Sequence, residues 1–337
     1  RLKADPRILA RFHRYEEHFK RAVRIGHALN VHQRTKVNGK NTTEKLDLYR
    51  LFLERAHGLA NNTGSLGVVV PSSFHSGEGA TGLRKLFFSQ GRPLFWLGFL
   101  NTNGIFAEIG KQERFDLFVW CAGTPATECL VTTGFRLVST DVLFRGDGYL
   151  FPVDTITLRT AGGPYLLLLE LTSQQEAEVL RCCIAHGIAW RTVTATGVFR
   201  TGDELNATHD AGLLSDITNP RPVNSLVVHE GKTIGPFTDR WTTPPRFMVI
   251  ANHVQKKRHI RNRSAHYRLA FRRLVGFTEE KSIACVLPPG ATATNTLKVE
   301  WNPSLRGNAD LLEKVAVFNS MVFNWLVKLR VDKDFNG

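Results

Sequence analysis

The sequence is short of acid, of cysteine pairs and of long apolar runs, and each shortage removes a class of protein. Thirty Asp and Glu stand against 44 Lys and Arg in 337 residues, a formal charge of +14. Such a balance suits simple solubility or a polyanionic partner, nucleic acid above all. No apolar run reaches the ~18 residues that a membrane helix needs, and no secretory signal opens the chain. A membrane partner is therefore not expected. Five cysteines, an odd number with no CxxC pair, speak against a disulfide framework or a zinc site and suit reduced thiols in a cytoplasm. His13, His18 and His27 have no acidic or cysteine set to complete a metal site, so no metal ligands are expected. No acid–lysine cluster of the nuclease kind is evident either. The first residue is Arg rather than Met, so the chain reads as a piece of something longer.

What remains is ordinary folded composition, with 42% apolar residues and enough length for two cores. The most informative stretch runs from residue 46 to 88. Leu48, Leu51, Phe52, Ala56 and Leu59 recur every three or four residues and predict a helix with these residues sharing one face. Asn61-Asn62-Thr63-Gly64 ends it, through the tolerance of Asn and Gly for the left-handed conformation. Leu66-Gly67-Val68-Val69-Val70 is a β-branched run of the kind buried on both faces of a parallel sheet. Pro71-Ser72-Ser73 stops that strand, and Gly82 to Phe88 predicts a second helix. Helix, strand and helix together predict an α/β sheet.

Upstream, Arg11 to Leu29 predicts an amphipathic helix with a basic outer face. Gly77-Glu78-Gly79-Ala80-Thr81-Gly82 satisfies GxGxxG, but no acid follows at the spacing that a dinucleotide fingerprint requires. Pro93 to Phe99 and Arg114 to Cys121 predict two antiparallel strands forming an edge hairpin. Tyr165 to Leu169 reads as a buried strand, and Gln174 to Ile184 as a helix capped by Ser173. The last 150 or so residues read as mixed α+β. Short strands surround one long helix, Leu311 to Leu329, with Leu312, Val315, Phe318, Val322, Trp325 and Leu329 on one face. Gln255 to Arg263 is a basic loop followed by Tyr267 and Phe271, a pattern able to neutralise phosphates.

Asp47-Leu48-Tyr49, Phe52-Leu53-Glu54-Arg55, Gly64, Gly67, Val70-Pro71-Ser72-Ser73-Phe74 and Leu83-Arg84 resemble, in order, the segment that follows the catalytic tetrapeptide of large adenine-N6 DNA methyltransferases. Those of type IIG restriction-modification and phage-exclusion systems are the most similar. Phe99, Asn101, Ile105-Phe106 and Phe115 continue the resemblance. So do Leu226 to Phe237, Asp239-Arg240-Trp241, Tyr267 to Arg272, Thr278 to Pro288 and Phe318 to Trp325. Lys281 stands where the family has Arg, which loses a planar fork.

The resemblance implies the carboxyl half of a Rossmann-like sheet that binds S-adenosylmethionine over residues 1–125. A connector over 126–190 and an α+β target-recognition region over 191–337 would follow. It further implies an enzyme that transfers methyl to adenine N6 in double-stranded DNA and acts in restriction-modification or phage defence. By that reading Trp120 and Phe118 are candidates to stack on the flipped base. Lys256, Lys257, Arg258, Arg261, Arg263, Arg268, Arg272 and Lys281 are candidates for DNA contact. The family's Asn-Pro-Pro-aromatic tetrapeptide and Gly-rich cofactor loop do not occur in these residues, so no catalytic residue is assigned and the chain alone is expected to be inactive. A non-catalytic DNA-binding or specificity module is the alternative.

Overall fold

The computed structural model describes residues 5–42, 47–123, 128–145, 148–187, 199–218, 220–240, 242–252, 258–273 and 283–330. Two compact units divide the chain, Arg1–Gly187 and Ile188–Gly337.

The first unit opens with α1 (Pro6–Leu29), whose start is fixed by Pro6 and by the Asp5 carboxylate accepting the Arg7 amide. The next helix, α2 (Leu48–Leu59), turns the predicted face outward. Leu48, Phe52 and Leu59 are 82%, 63% and 68% exposed, whereas Arg50 and Leu53 are buried. Polar anchoring decides this orientation. Arg50 donates to the Gly79 carbonyl at 2.9 Å, and Gln33 donates to the Arg50 carbonyl and the Glu54 carboxylate. The helix ends on Ala60 in extended backbone, and residues 61–64 form an Asn-centred turn with no left-handed residue.

The sheet follows, as β1 (Ser65–Pro71), then α3 (Thr81–Ser89), β2 (Gly91–Leu100), β3 (Arg114–Ala122), β4 (Leu130–Leu137) and β5 (Phe151–Asp154). Its order is β1-β3-β2-β4-β5. Strand β3 is antiparallel to both β1 and β2, β2 is parallel to β4, and β5 is antiparallel to β4. Strands β1, β2 and β4 therefore point the same way.

Three expectations change here. Among the described residues β1 pairs only with β3, and its exposure alternates, with Val69 52% exposed; it is not covered on both faces. The β2–β3 hairpin is interior, because β2 also pairs with β4. Tyr165 to Leu169 is not a strand, since Leu166 takes φ +50° and the Leu168 amide bonds the His75 carbonyl instead of a ladder partner. Residues 126–187 supply β4, β5, α4 (Thr155–Gly162) and α5 (Gln174–His186). The Ser173 hydroxyl accepts the Glu176 amide and caps α5 as expected.

Between sheet and helices lies an aromatic core. Phe87 meets Phe118 and Trp120 edge-on at 5.1 and 5.3 Å, and Phe74 stacks on Trp96 at 4.7 Å. Two glycines permit these approaches. A Cβ on Gly91 would fall 2.5 Å from the Trp120 ring, and one on Gly82 would fall 1.9 Å from the His32 carbonyl oxygen. Gly82 of the GxGxxG sequence is thus a packing residue.

The second unit contains two four-stranded sheets. It runs through β6 (Thr201–Gly202), β7 (Ser215–Asp216), β8 (Ser225–His229), β9 (Phe247–Ile250), α6 (Arg258–Arg263), β10 (Arg268–Arg272), β11 (Ala284–Leu287), β12 (Ala291–Ala293) and β13 (Leu297–Glu300). The sheet orders are β12-β8-β9-β7 and β11-β10-β13-β6. The long carboxyl-terminal helix is in fact two, α7 (Asn308–Phe318) and α8 (Met321–Lys328). The Ser320 hydroxyl accepts the Phe323 amide and starts a new helix, which is why the chain breaks there. Leu311, Val315 and Phe318 pack inward on Leu269 and Phe271, while Leu312 and Val322 of the predicted face are exposed.

Candidate functional site

Open sheets with parallel strands bind ligands beyond the carboxyl ends of those strands. At that end of β1, β2 and β4 the chain gathers five charged residues that are distant in sequence. Pro71 ends β1, the Ser72 amide bonds the Arg114 carbonyl at 3.1 Å, and a single helical turn, Ser73–Ser76, carries His75 inward. The His75 ring lies with Nδ1 2.8 Å from the Asp116 carboxylate and Nε2 3.4 Å from Glu170. The Trp96 indole donates to Asp116 at 3.0 Å. Arg114 and Arg136 donate to the other Glu170 oxygen at 2.8 and 3.0 Å.

Burial alone would lower the His75 pKa, but the Asp116 and Glu170 carboxylates outweigh it and hold His75 at about 9. Burial would likewise raise Glu170, yet His75, Arg114 and Arg136 bring it down to about 2. At neutral pH both ring nitrogens of His75 therefore carry protons and donate, leaving no lone pair to act as a base. The cluster braces the segment around Glu170 against the sheet. The space beside it is too narrow to admit a water molecule.

Over the same end runs the loop from Asn101 to Glu113. Asn101 is fully buried; its amide donates to the Phe106 and Ile109 carbonyls at 3.0 and 2.9 Å and accepts the Phe106 amide at 2.9 Å. Phe106 is thereby held with its ring 38% exposed and edge-on to Phe115, which stacks on Phe99 at 5.2 Å.

The predicted site residues fall elsewhere. Phe118 and Trp120 are 0% and 1% exposed, their rings covered by Phe74, Phe87 and Trp96, and the Trp120 indole is bonded to the Phe87 carbonyl. This corrects the stacking expectation, because a base cannot reach either face in this packing. Arg268 is fully buried in an ion pair with Glu204, so it is a core residue and not a surface contact. Arg272 donates to the Gly231 and Ile234 carbonyls, and Arg263 lies 4.6 Å over the Trp301 ring. Arg258 and Arg261 belong to α6, and Lys256, Lys257 and Lys281 lie outside the described residues. Among the described residues no group of His, Cys, Asp and Glu could hold a metal ion, and no helix is long and apolar enough to cross a membrane.

Sequence reasoning missed the His75 cluster because its members are 41 and 95 residues apart and share no motif. It missed Phe106 as an exposed ring for lack of any signal of exposure, although Asn101 and Ile105-Phe106 were singled out.

No curated protein matches the chain. Among solved structures, the type IIL restriction-modification enzyme MmeI in complex with DNA has 10% identity and a TM-score of 0.43, covering 75% of this chain and 36% of that one. The type IIG restriction endonuclease BpuSI has 11% identity and a TM-score of 0.29, covering 86% of this chain and 40% of that one. The matched parts thus span 36% and 40% of the two enzymes. Its first unit, from residue 22 to 106, matches the Eco57I restriction-modification methylase family.

Proposed function

We propose that the chain is the carboxyl-terminal part of a cytoplasmic, site-specific DNA methyltransferase that uses S-adenosylmethionine to methylate adenine N6 in restriction-modification or phage defence. One observation carries this reading. The methylase match over residues 22–106 falls on α2, β1, α3, β2 and the start of the Phe106 loop, the elements that build the carboxyl end of the sheet. The parallel direction of β1 and β2, with β3 inserted between them, supports a Rossmann-like methyltransferase sheet. The outer edge of β1 offers backbone groups for further strands.

Neither of two cavities in the first unit fits S-adenosylmethionine. The cavity at the sheet end is too small for a molecule of that size, and the larger groove of ≈ 500 Å³ is lined by Lys36, Lys85 and Arg159 with no carboxylate for a ribose or an ammonium group. No step through the cofactor is derived from these residues. What the chain offers the reaction is Phe106, an aromatic ring fixed by Asn101 at the sheet end, available to stack on an adenine turned out of the duplex. The second unit carries the basic stretch around α6, and the chain as a whole has a formal charge of +14; both suit DNA contact.

The test is expression of the complete reading frame in a methylation-free host, with modified adenines mapped by sequencing. The reading expects N6-methyladenine at one defined site, loss of modification in Phe106→Ala, and no methyl transfer by this chain alone. An unmodified genome would favour the second reading, a non-catalytic specificity module, which the missing tetrapeptide also suits.

A further inference from the structure

The groove of ≈ 500 Å³ in the first unit shares no residue with the His75 cluster or the Phe106 loop. Three segments distant in sequence enclose it, and close contacts fix each one. A Cβ on Gly82 would fall 2.1 Å from the Thr35 hydroxyl, so the bare glycine lets Thr35 pack on α3 and bring Lys36 beside it. Lys36 and Val37 pair with Asn41 and Lys40 in a two-stranded hairpin. Asn38 and Gly39 turn it at φ +50° and +78°, the left-handed pair that such an Asn-Gly turn requires. Arg159 of α4 donates to the Phe88 carbonyl at 3.1 Å and lies 5.4 Å over the Phe88 ring, which ties α4 to α3. Beyond α4, Leu166 holds φ +50°, a strained state for a bulky side chain. Its amide on the Gly163 carbonyl at 3.1 Å, and the Leu167 amide on the Gly162 carbonyl at 3.3 Å, keep it there.

What these walls present is positive and unmatched. Lys36, Lys85 and Arg159 line the groove, and no Asp or Glu does. Both lysines are exposed, and among the described residues neither side chain forms an ion pair or a hydrogen bond. Arg159 spends one N–H on Phe88 and keeps the rest of its fork for a ligand. Val37 and Leu166 supply apolar sides. Charges of one sign between apolar walls concentrate the field and draw an anion in. An ammonium and a guanidinium fork are the donors that phosphate oxygens take best. The volume suits more than a bare ion, since small-ligand sites run from about 300 to 1,000 Å³.

We propose that this groove is a binding site for a phosphate ester, held between Lys36, Lys85 and Arg159. A free nucleotide and a DNA strand are the two sources of that group. The site stands whether or not the chain methylates DNA, because neither the Phe106 loop nor α6 takes part in it.

The experiment measures fluorescence anisotropy of two labelled probes with the whole chain: adenosine triphosphate, and a duplex of about 30 base pairs, roughly three turns. Lys36→Gln with Lys85→Gln removes two exposed charges and keeps the Arg159 bond to Phe88, so this variant should melt with the unaltered chain. Lys36→Arg with Lys85→Arg keeps the charge. Arg21→Gln with Arg24→Gln removes the same charge from α1, outside the groove. The expected result is saturable binding that weakens about tenfold or more in the Gln variant of the groove. The Arg variant and the α1 variant should bind as the unaltered chain does. A loss on the triphosphate makes the ligand a free nucleotide; a loss on the duplex alone makes it a strand phosphate. Binding undiminished in the Gln variant, equal losses in the groove and α1 variants, or no binding of either probe would overturn the site. None of these results touches the methyltransferase reading, whose own test is adenine modification in the host.

Discussion

Replacing His75 by Gln removes a cation from between two carboxylates that stay buried. His75 is 2% exposed and Asp116 is 0% exposed, so solvent screens little of the lost attraction. Raising an imidazole from 6.5 to about 9 corresponds to about 3 kcal/mol in favour of the folded state. Burial pushes the Asp116 carboxyl upward, which offsets part of that gain. Removal of one partner of a buried pair typically costs about 3–5 kcal/mol. The sign with pH follows from the direction of the shift. The folded value lies above the unfolded one, so the stabilisation is fully present below 6.5 and is lost as pH rises through about 9. Glu170, lowered to about 2, sets the acid limit, since its contribution is present above 4.5 and disappears as pH falls toward 2. The expected gap between unaltered protein and His75→Gln is therefore about 3 kcal/mol near pH 6, shrinking to about 1 kcal/mol or less near pH 9.5. Urea unfolding followed by near-ultraviolet circular dichroism at both pH values measures it, and the His75 ring resonance gives the titration directly. A His75 titration at or below 6.5, or a gap that does not change with pH, would refute the reasoning.

The remaining predictions concern packing and termini. Arg268→Met leaves Glu204 buried without its guanidinium and should cost about 3–5 kcal/mol, whereas Arg268→Met with Glu204→Leu should recover much of it; a double-mutant cycle in urea reads this. Gly82→Ala places a methyl 1.9 Å from the His32 carbonyl oxygen and 2.1 Å from the Thr35 hydroxyl, so the thermal midpoint should fall by the equivalent of about 1–3 kcal/mol or more. Ser320→Ala removes the cap of α8 and should cost about 1 kcal/mol, restored by Ser320→Asp. Hydrogen exchange at Phe323, whose amide the cap accepts, is the local measure.

Several elements were legible from the chain because their causes are local. The Ser173 cap, the strand ended by Pro71 and the helical periodicity from Arg11 to Leu29 depend on residues within a turn or two of each other, whereas the start of α1 at Pro6 with its Asp5 cap emerged only in the structure. The family pattern around Asp47 to Arg84 was legible for a different reason, since an ordered set of residues survives where the fold needs them. Arg84 shows why: it is fully buried and holds the Phe74 and Tyr165 carbonyls, 10 and 81 residues away.

Other features were decided only by tertiary structure. Periodicity placed Phe52 and Leu59 on one face of α2, and anchoring of Arg50 and Glu54 turned that face to solvent. The family resemblance made Trp120 a candidate base contact, and its seat between Phe87 and Gly91 made it core. Basic character made Arg268 a surface contact, and Glu204, 64 residues away, drew it inside. The sequence by itself determined the Ser173 cap and the end of β1 at Pro71, because capping and proline act over a few residues. Which side chains meet at the end of the sheet, and with what charge, only the fold decided, because hydrogen bonds and Coulomb attraction act through distances that sequence separation does not measure.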